Sequence, residues 1–335
     1  MTAMSRRRAI FITAAALLLP GTTATAPARA NSGTWRWRGA ALGTSASIKI
    51  IGIDARRAET LIETCVDEVR RLENEFSLFR SDSAISRLNA AGRLEAPSAD
   101  MLRLLNRALH TASISGGAFD PTVQTLWQLF ADHFSAVGAN VDAPPHTVIA
   151  QALEKVDWRR VSASAAAIQL GSGQKLSLNG IAQGFITDRV ADLLRAAGLN
   201  HVLINLGEFR ALGPSAASKP WRIALNDGTT DPAQWETMPL ADRALATSGG
   251  YGLQFDRHGH FHHLIDARSG LSPSHYRSVS VVAKTATIAD ALSTALTMLP
   301  PDAIPGLLQR GNGEAAHVVF DDGRRAVYRP DRQSG

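Results

Sequence analysis

The stretch from Ser278 to Leu299 constrains the fold of this chain more than any other segment. Its first residues alternate polar and β-branched side chains, which predicts a strand, and from Thr285 the apolar residues recur every three or four positions, which predicts a helix. Asp290 and Thr294 are four residues apart and share one face of that helix. A carboxylate and a hydroxyl so placed can hold Mg²⁺, but they can equally stabilise the helix itself. The segment alone leaves both interpretations open.

The first thirty residues form a predicted export signal rather than part of the fold. Residues 1–30 combine a basic start, an apolar run from Ala9 to Leu19 that is too short to span a bilayer, and the small-residue end Ala28-Arg29-Ala30. Ser5-Arg6-Arg7 ahead of the apolar run is typical of a twin-arginine signal. We therefore expect cleavage near Ala30, a soluble periplasmic product, and one large domain over residues 31–335.

Charge and cysteine content exclude two classes of protein. The 335-residue chain has 35 basic and 30 acidic residues, and loss of the four signal arginines would leave 31 basic against 30 acidic, a net charge of +1. This balance and the lack of a basic stripe argue against a nucleic-acid partner. Cys65 is the single cysteine, so an intramolecular disulfide is excluded.

Strands and helices mix without a regular βαβα rhythm, which favours an α+β fold with mixed or antiparallel sheets flanked by helices. Before the opening segment the pattern predicts a strand over 41–52 after an irregular lead-in. A loop over 77–92 and strands near 158–162, 167–170 and 175–178 are also predicted. Helices are predicted over residues 54–76, 98–115, 147–156 and 181–197.

Two glycine-containing stretches could approach a ligand. In SGGAFDPTV, two glycines precede Asp120, which either contacts a ligand or caps the local turn. In LSLNGIAQGFITD, Gly184 lies early in a helix, where glycine lowers helix stability by about 1 kcal/mol, so it indicates close packing or close ligand approach. The start of that helix could bind phosphate, yet neither the dinucleotide nor the P-loop spacing is present.

A glycine turn and a histidine-rich segment complete the candidates. ATSGGY reads as a hairpin turn when taken alone. HGHFHHLIDARSG contains four histidines in six residues, but their spacing is not that of a zinc site, and alternation along a strand would keep them from converging. One histidine acting as acid, base or ligand contact is the better interpretation, and His263, beside Leu264 and Ile265, is the best placed.

Taken in order, these stretches resemble the ApbE family of FAD:protein FMN transferases. The matching segments are ALGTS, ENEFSLFRSDSAISRLN, SGGAFDPTV, LSLNGIAQGFITDRVADLL, NLGEFRALG, ATSGGY, HHLIDARSG and SVSVVAKTATIADALSTAL. They span most of the sequence after the signal. The resemblance implies a single large T-fold-like domain that binds FAD and Mg²⁺. It also implies transfer of FMN to a Thr or Ser hydroxyl of a partner flavoprotein, exported or membrane-bound, with release of AMP.

The resemblance also assigns roles to individual residues. The implied Mg²⁺ ligands are Asp290, Thr294, Ser293 and the carbonyl of Gly180. His263 matches a histidine proposed to assist the transfer, and Asp120 is an alternative base. The implied FAD contacts are Leu42, Phe79, Ala118, Phe119, Asp120, Ser177, Gln183 and Ile265.

Four positions depart from the family pattern. Gln183 stands where Lys or Glu is common, Ser177 where an acidic residue is common, and Ser293 where an acidic or small residue is common; Gly207-Glu208 replaces Gly-Gly. Fewer negative ligands should weaken Mg²⁺ binding. Hydrolysis of FAD to FMN and AMP, or flavin binding without turnover, are therefore the alternative functions.

Overall fold

An eight-stranded antiparallel sheet forms the centre of the structure. The computed structural model describes residues 33–41, 43–136, 142–215, 218–225, 227–229 and 236–331, so Leu42 and the predicted export signal lie outside the described residues. None of the helices within these ranges is long and apolar enough to cross a membrane.

The strands form three sheets, and every strand pair within these sheets is antiparallel in the described part of the chain. The strands are β1 (Thr34–Ala41), β2 (Thr44–Ile51), β3 (Arg93–Glu95), β4 (Ser162–Ala163), β5 (Ala167–Gln169), β6 (Val202–Asn205), β7 (Phe209–Leu212), β8 (Trp221–Ala224), β9 (Thr237–Leu240), β10 (Ala244–Ser248), β11 (Tyr276–Ala283), β12 (Gly313–Phe320) and β13 (Arg325–Tyr328). The large sheet has the order β1-β2-β6-β7-β10-β11-β12-β13, and the small sheets are β3-β5-β4 and β8-β9.

Eight α-helices surround these sheets in the described residues. They are α1 (Ala55–Phe76), α2 (Ala84–Ala91), α3 (Ala99–Ile114), α4 (Gln124–Ser135), α5 (His146–Leu153), α6 (Asn179–Ala196), α7 (Ala286–Thr297) and α8 (Ile304–Gly311). Helix α7 packs on β10 and β11, and α6 packs on α7. The apolar face of the large sheet that these helices cover belongs to the main core.

Gly184 lets α6 approach α7 closely. A Cβ atom at this position would overlap the carbonyl oxygen of Ala286 and lie 2.8 Å from Cβ of Asp290. Backbone atoms cannot move aside as a flexible side chain can, so the position tolerates only glycine at this helix separation. The glycine predicted to mark close packing or ligand approach therefore marks close packing.

Asp188 ties α6 to the start of α7. Its carboxylate accepts hydrogen bonds from the N–H groups of Ala286 and Thr287, at 2.9 and 2.8 Å, and from the Thr287 hydroxyl at 2.6 Å. These N–H groups belong to the first turn of α7, where backbone N–H groups have no acceptor within the helix itself. Arg210 of β7 lies 3.6 Å from the same carboxylate and balances its charge.

Two smaller clusters complete the core. The hairpin β8–β9 covers the other face of the large sheet through Trp221, Ile223 and Leu240. Helices α4 and α5 pack with Phe255 and Ile265 in a separate, aromatic-rich cluster. The site-bearing helices therefore lie on one face of the sheet, and the aromatic-rich cluster supports the loop that follows β10.

The α+β class and most long elements predicted from the sequence are confirmed, and four local predictions are wrong. The irregular lead-in is strand β1, because all eight of its residues pair with β2. The predicted loop over 77–92 contains α2, capped by Ser83 and ended by Gly92 in the left-handed region. No strand forms over 175–178, where Lys175 makes one isolated bridge to Val123, and residues 158–160 are a 3₁₀ helix rather than a strand.

We predict that Gly184→Ala lowers the free energy of unfolding by about 1–3 kcal/mol, the range for overpacking a close contact. The sign is informative, because alanine normally stabilises a helix interior by about 1 kcal/mol relative to glycine. Urea unfolding followed by circular dichroism measures the change. The control is Gly306→Ala in α8, where a Cβ would meet only side-chain ends of Arg310 and Asp331 and where no loss of stability is expected. Equal stability of the two variants would contradict the packing argument.

We predict that Asp188→Ala destabilises the fold by roughly 3 kcal/mol, since it leaves Arg210 buried without its carboxylate. Asp192→Ala, four residues further along α6 at an exposed ion pair with Arg195, is the matched control and should change stability by less than about 0.5 kcal/mol. Thermal unfolding of both variants provides the comparison. A loss for Asp188→Ala no larger than for the control would show that the α7 cap contributes little.

Candidate functional site

Asp290 presents a buried carboxylate on the side of α7 that faces α6. The residue is 4% exposed, and the N–H of Gly184 donates to Oδ2 at 2.8 Å. Gly184 is the only hydrogen-bond donor to this carboxylate within the residues that the structure describes, so Oδ1 has lone pairs to offer. Burial raises the pKa of Asp290, the Gly184 N–H opposes that rise, and the Asp188 carboxylate adds to it. A bound cation would offset the cost of this buried charge.

The carbonyl of Gly180 and the hydroxyl of Thr294 lie together beside Asp290. Gly180 departs from helical geometry, with φ −82° and ψ 15° inside α6. Thr294 Oγ1 donates to the Gly180 carbonyl oxygen across 3.4 Å, one turn along α7 from Asp290. Ser248, at the end of β10, contributes a third oxygen 3.3 Å from Thr294 Oγ1. Three elements thus bring a carbonyl and two hydroxyls to the same place.

Ser293 is already engaged in hydrogen bonds. Its hydroxyl donates to the backbone carbonyl of Asp290 at 3.0 Å and lies 2.8 Å from Ser248 Oγ. Ser293 is fully buried. Its predicted part in metal binding stays a prediction.

The donor set suits a hard cation. The Asp290 carboxylate, the Gly180 carbonyl and the Thr294 hydroxyl all offer oxygen, which Mg²⁺ prefers, and Mg²⁺ commonly keeps its remaining positions for water and substrate phosphates. No group of three or more His, Cys, Asp or Glu side chains that could hold a metal occurs in the described ranges. A cation here would rely on mixed backbone and side-chain oxygens.

One residue predicted to contact a ligand packs against Gly180, and others lie on the neighbouring segments. A Cβ built on Gly180 would lie 3.3 Å from Phe119, whose neighbour Ala118 is also buried. Gln183 lies against Gly207, where a Cβ would come within 2.8 Å of its Nε2. The N–H of Ser177 donates to the carbonyl of Pro121 at 2.7 Å, joining the loop before α6 to the SGGAFDPTV segment.

Asp120 holds two loops together. Its Oδ1 accepts from the N–H and the hydroxyl of Thr122, at 2.8 and 2.7 Å, and its Oδ2 accepts from the N–H of Trp158 at 3.0 Å. Burial raises the pKa of Asp120, and these hydrogen bonds oppose the rise. Both oxygens already have donors, which favours the capping interpretation. Its assignment as a base remains a prediction.

His262 and His263 occupy different environments. His262 is buried and its Nε2 lies 3.0 Å from the carbonyl oxygen of Pro273, so it fixes the loop. His263 Nδ1 lies 3.1 Å from the carbonyl oxygen of Leu253. Because a carbonyl only accepts, Nδ1 carries the proton and Nε2 of the neutral ring keeps its lone pair. Burial lowers the pKa of His263 to about 4, so the ring is neutral near pH 7.

The turn after β10 connects the histidines to the oxygen cluster. A Cβ on Gly250 would lie 2.8 Å from Nε2 of His262, and one on Gly252 would lie 3.2 Å from Cε1 of His263. Ser248, at the start of this turn, bonds to Ser293 and Thr294. The ATSGGY segment is therefore more than a hairpin turn, because it positions both parts of the site.

Two predicted contacts lie further out. Phe79 is 55% exposed, on the loop between α1 and α2. Ile265 is buried in the aromatic-rich cluster with Leu126 and Phe130. Their assignment as flavin contacts stays a prediction, as does that of Leu42, which lies outside the described residues.

A groove of about 720 Å³ lies elsewhere, beside α3, α6 and the start of α7. Its walls are mostly charged, and several of its arginines are paired with carboxylates. None of the residues predicted for the site lines it. The lining residues are Arg103, Arg107, Phe185, Asp188, Arg189, Asp192, Arg195, Arg210, Asp242, Arg243, Lys284, Thr285 and Thr287.

Sequence reasoning missed Ser248 and underestimated Glu208. Ser248 is an ordinary residue in a glycine turn, and nothing in the pattern places it against α7. Glu208 is 7% exposed just before β7. A charged residue between two short apolar strands is the signal that could have identified it.

The chain matches the ApbE family over residues 42–319. It is 32% identical over 312 residues to the FAD:protein FMN transferase of Treponema pallidum, covering 84% of this chain and 83% of that one. With the FAD:protein FMN transferase of Vibrio cholerae it shares 31% identity over 281 residues, covering 78% and 80%.

Solved structures show the same fold. The flavin transferase ApbE from Vibrio cholerae superposes with a TM-score of 0.76 at 24% identity, covering 90% of this chain and 98% of that one. The ApbE protein of Thermotoga maritima superposes with a TM-score of 0.77 at 26% identity, covering 89% and 97%. The family match extends over most of the sequence, and with these relatives it shows that the chain belongs to the ApbE family.

Proposed function

We propose that this protein is an Mg²⁺-dependent FAD:protein FMN transferase that moves FMN from FAD to a Thr or Ser hydroxyl of a partner flavoprotein and releases AMP. One observation carries the proposal: the buried Asp290 carboxylate lies beside the Gly180 carbonyl and the Thr294 hydroxyl. Relatives named FAD:protein FMN transferase support the reaction.

FAD would lie across the start of α6 and the SGGAFDPTV loop. The ligand contacts that we propose near the oxygen cluster are Ala118, Phe119, Ser177 and Gln183. Phe79 and Ile265 lie further out, and Leu42 is proposed from the family resemblance alone. In the first turn of α6 the N–H of Gly180 would suit a phosphate, whereas the N–H groups of Asn179 and Ile181 already donate to Ser177 Oγ and to the Leu178 carbonyl. Gln183 and Ser177 are neutral, so they would hydrogen-bond the substrate without adding repulsion to its pyrophosphate.

Asp290, Thr294, Ser293 and the Gly180 carbonyl would hold Mg²⁺. When bound, Mg²⁺ neutralises charge on the pyrophosphate and on the departing AMP. The hydrogen bond from the Gly184 N–H holds the Asp290 carboxylate in position, and that carboxylate would fix the place of the Mg²⁺. Gly184 of α6 packs closely against Ala286 and Asp290 of α7. The oxygens of the cluster are therefore held in place and would need little movement during the reaction.

His263 would act as the base. The acceptor hydroxyl oxygen forms a bond to the phosphorus of the FMN half, and the P–O bond to AMP breaks. The hydroxyl proton passes to Nε2 of His263, whose lone pair is kept free by the Nδ1 contact with Leu253. Hydrolysis of FAD to FMN and AMP would follow the same geometry with water in place of the acceptor hydroxyl.

The proposed location is the periplasm. The segment 1–30 has the pattern of a twin-arginine signal cleaved near Ala30, and the domain would then comprise residues 31–335. The acceptor would be an exported or membrane-bound flavoprotein, since it must meet the enzyme in that compartment.

We predict that Asp290→Ala lowers the rate of acceptor labelling by about 100-fold or more, the size expected for losing a group that stabilises developing charge. The mature protein is incubated with FAD, Mg²⁺ and an acceptor fragment that carries a Thr flavinylation site, and in-gel flavin fluorescence measures the product. Asp192→Ala, at an exposed position of α6, is the control and should retain full activity.

Undiminished labelling by Asp290→Ala would overturn the metal assignment. FMN and AMP released without labelled acceptor would favour the pyrophosphatase. FAD left unchanged with Mg²⁺ would leave a flavin-binding protein without turnover.

We predict that His263 contributes to stability only above acidic pH. Its pKa falls from an ordinary 6.5 to about 4 in the folded protein, so between these values the unfolded chain binds more protons than the native one. Stability from the neutral ring is therefore complete above about pH 6.5 and is lost as the pH falls towards 4.

The melting temperatures of wild type and His263→Gln, compared from pH 7 to pH 4, test this. Their difference should shrink steadily on acidification. His258→Gln, in the same loop but exposed, is the control and should not reproduce that trend. A difference that stays constant from pH 7 to pH 4 would contradict the assignment of a neutral His263.

A further inference from the structure

The charged groove beside α3, α6 and the start of α7 contains more positive than negative side chains. In the described part of the chain, seven basic residues and three aspartates line it. The basic residues come from α3, α6, β7 and the segments that precede β10 and α7, so they surround the groove rather than follow one helix. Its volume of about 720 Å³ lies within the usual range for small-molecule sites.

Arg210 of β7 is buried, yet most of its N–H groups have no acceptor. Its Nη1 donates to the carbonyl of Ala211 at 3.0 Å. Its Nε lies 3.6 Å from Asp188 Oδ1, which balances the charge but is too long for a hydrogen bond. The Asp188 oxygens instead accept from the first turn of α7. Nη2 of Arg210 has no acceptor among the described residues and is not sealed off from solvent, so it opens onto the groove.

Arg189 of α6 is left out of the ion pairs around it. Glu68 and Asp100 lie 3.4 and 3.9 Å from its Nε. However, Arg71 donates to both oxygens of Glu68, and it shares Asp100 with Arg103. Nε of Arg189 is therefore enclosed without a hydrogen-bond acceptor in the described ranges. A guanidinium with unused donors in the wall of a groove is suited to an external acceptor.

Two further cations of the groove are available to a ligand. Arg107 of α3 and Lys284, between β11 and α7, are exposed, and neither side chain forms an ion pair or hydrogen bond with a described residue. The remaining aspartates of the groove do not compensate them, since Asp192 is paired with Arg195 and Asp242 accepts a backbone N–H at 2.7 Å. A ligand here would meet positively charged donors in excess of the protein's own acceptors.

We propose that this groove binds a small anion that carries two or more phosphate groups. Guanidinium groups match the oxygens of a phosphate in pairs, and the Lys284 ammonium adds a point charge. Because the available cations lie on α3, α6, β7 and beyond β11, a single phosphate would not engage all of them. None of the residues proposed to bind FAD or Mg²⁺ lines the groove, so the anion site goes beyond the proposed reaction.

Inorganic pyrophosphate serves as the probe, and isothermal titration calorimetry measures its binding to the mature protein with and without saturating FAD. Divalent cations are first removed with a chelating resin, so that pyrophosphate is not bound through a metal. We expect one site per chain that FAD does not block. Inorganic phosphate should bind more weakly than pyrophosphate, and added salt should weaken both.

The double variant Arg107→Gln/Lys284→Gln should weaken pyrophosphate binding by about tenfold or more, since two charged contacts are lost. Both positions are exposed, so the fold should be retained, and the affinity for FAD should stay that of wild type. The matched control is Arg70→Gln/Arg324→Gln, which removes two exposed cations outside the groove and should bind pyrophosphate as wild type does. Arg189→Gln tests the same site from α6 and should also weaken binding.

Four outcomes would overturn the proposal. The first is no pyrophosphate binding by wild type at low salt. The second is equal weakening in the groove variant and the control, which would indicate general charge attraction. The third is loss of binding when FAD is present, which would place pyrophosphate in the flavin site. The fourth is sedimentation with phosphatidylglycerol vesicles without binding of pyrophosphate, which would make the groove a contact with lipid headgroups.

Discussion

The close approach of α6 to α7 is the contact on which the site depends. Gly184 allows the two helices to meet at the Ala286 carbonyl, and in the same place its N–H fixes the Asp290 carboxylate. Asp188 then secures the start of α7 from the same helix. Since one pair of helices carries Gly180, Asp290 and Thr294, the oxygen cluster keeps its geometry as long as this packing holds.

The charged and titratable groups of the site differ in how burial affects them. The Asp290 carboxylate is buried, and the buried Arg210 is balanced by Asp188. Burying a carboxylate costs free energy, and the hydrogen bond from the Gly184 N–H to Asp290 offsets part of that cost. His263 differs, because burial lowers its pKa and favours the neutral ring, and its Nδ1 faces the Leu253 carbonyl, so Nε2 keeps its lone pair.

Much of this could be read from the sequence, and the failures have identifiable causes. Long periodic segments such as α1 and α7 were predicted nearly to their ends, since their apolar stripes are strong. Strand β1 was missed because its Trp and Arg residues gain strand structure from pairing with β2, a partner that local pattern does not reveal. Asp120 shows the same limit at the site, where the chain 38 residues further on supplies the N–H that occupies its carboxylate.

The sequence by itself determined the α+β class, the face shared by Asp290 and Thr294, and the resemblance to the ApbE family. Periodicity and motif order are read along the chain, so they do not depend on which elements pack against each other. Only the tertiary structure decided that Glu208 is buried, that Ser248 bonds to α7, and which nitrogen of His263 faces the Leu253 carbonyl. These facts depend on burial and on contacts between residues far apart in the chain, and a linear pattern records neither.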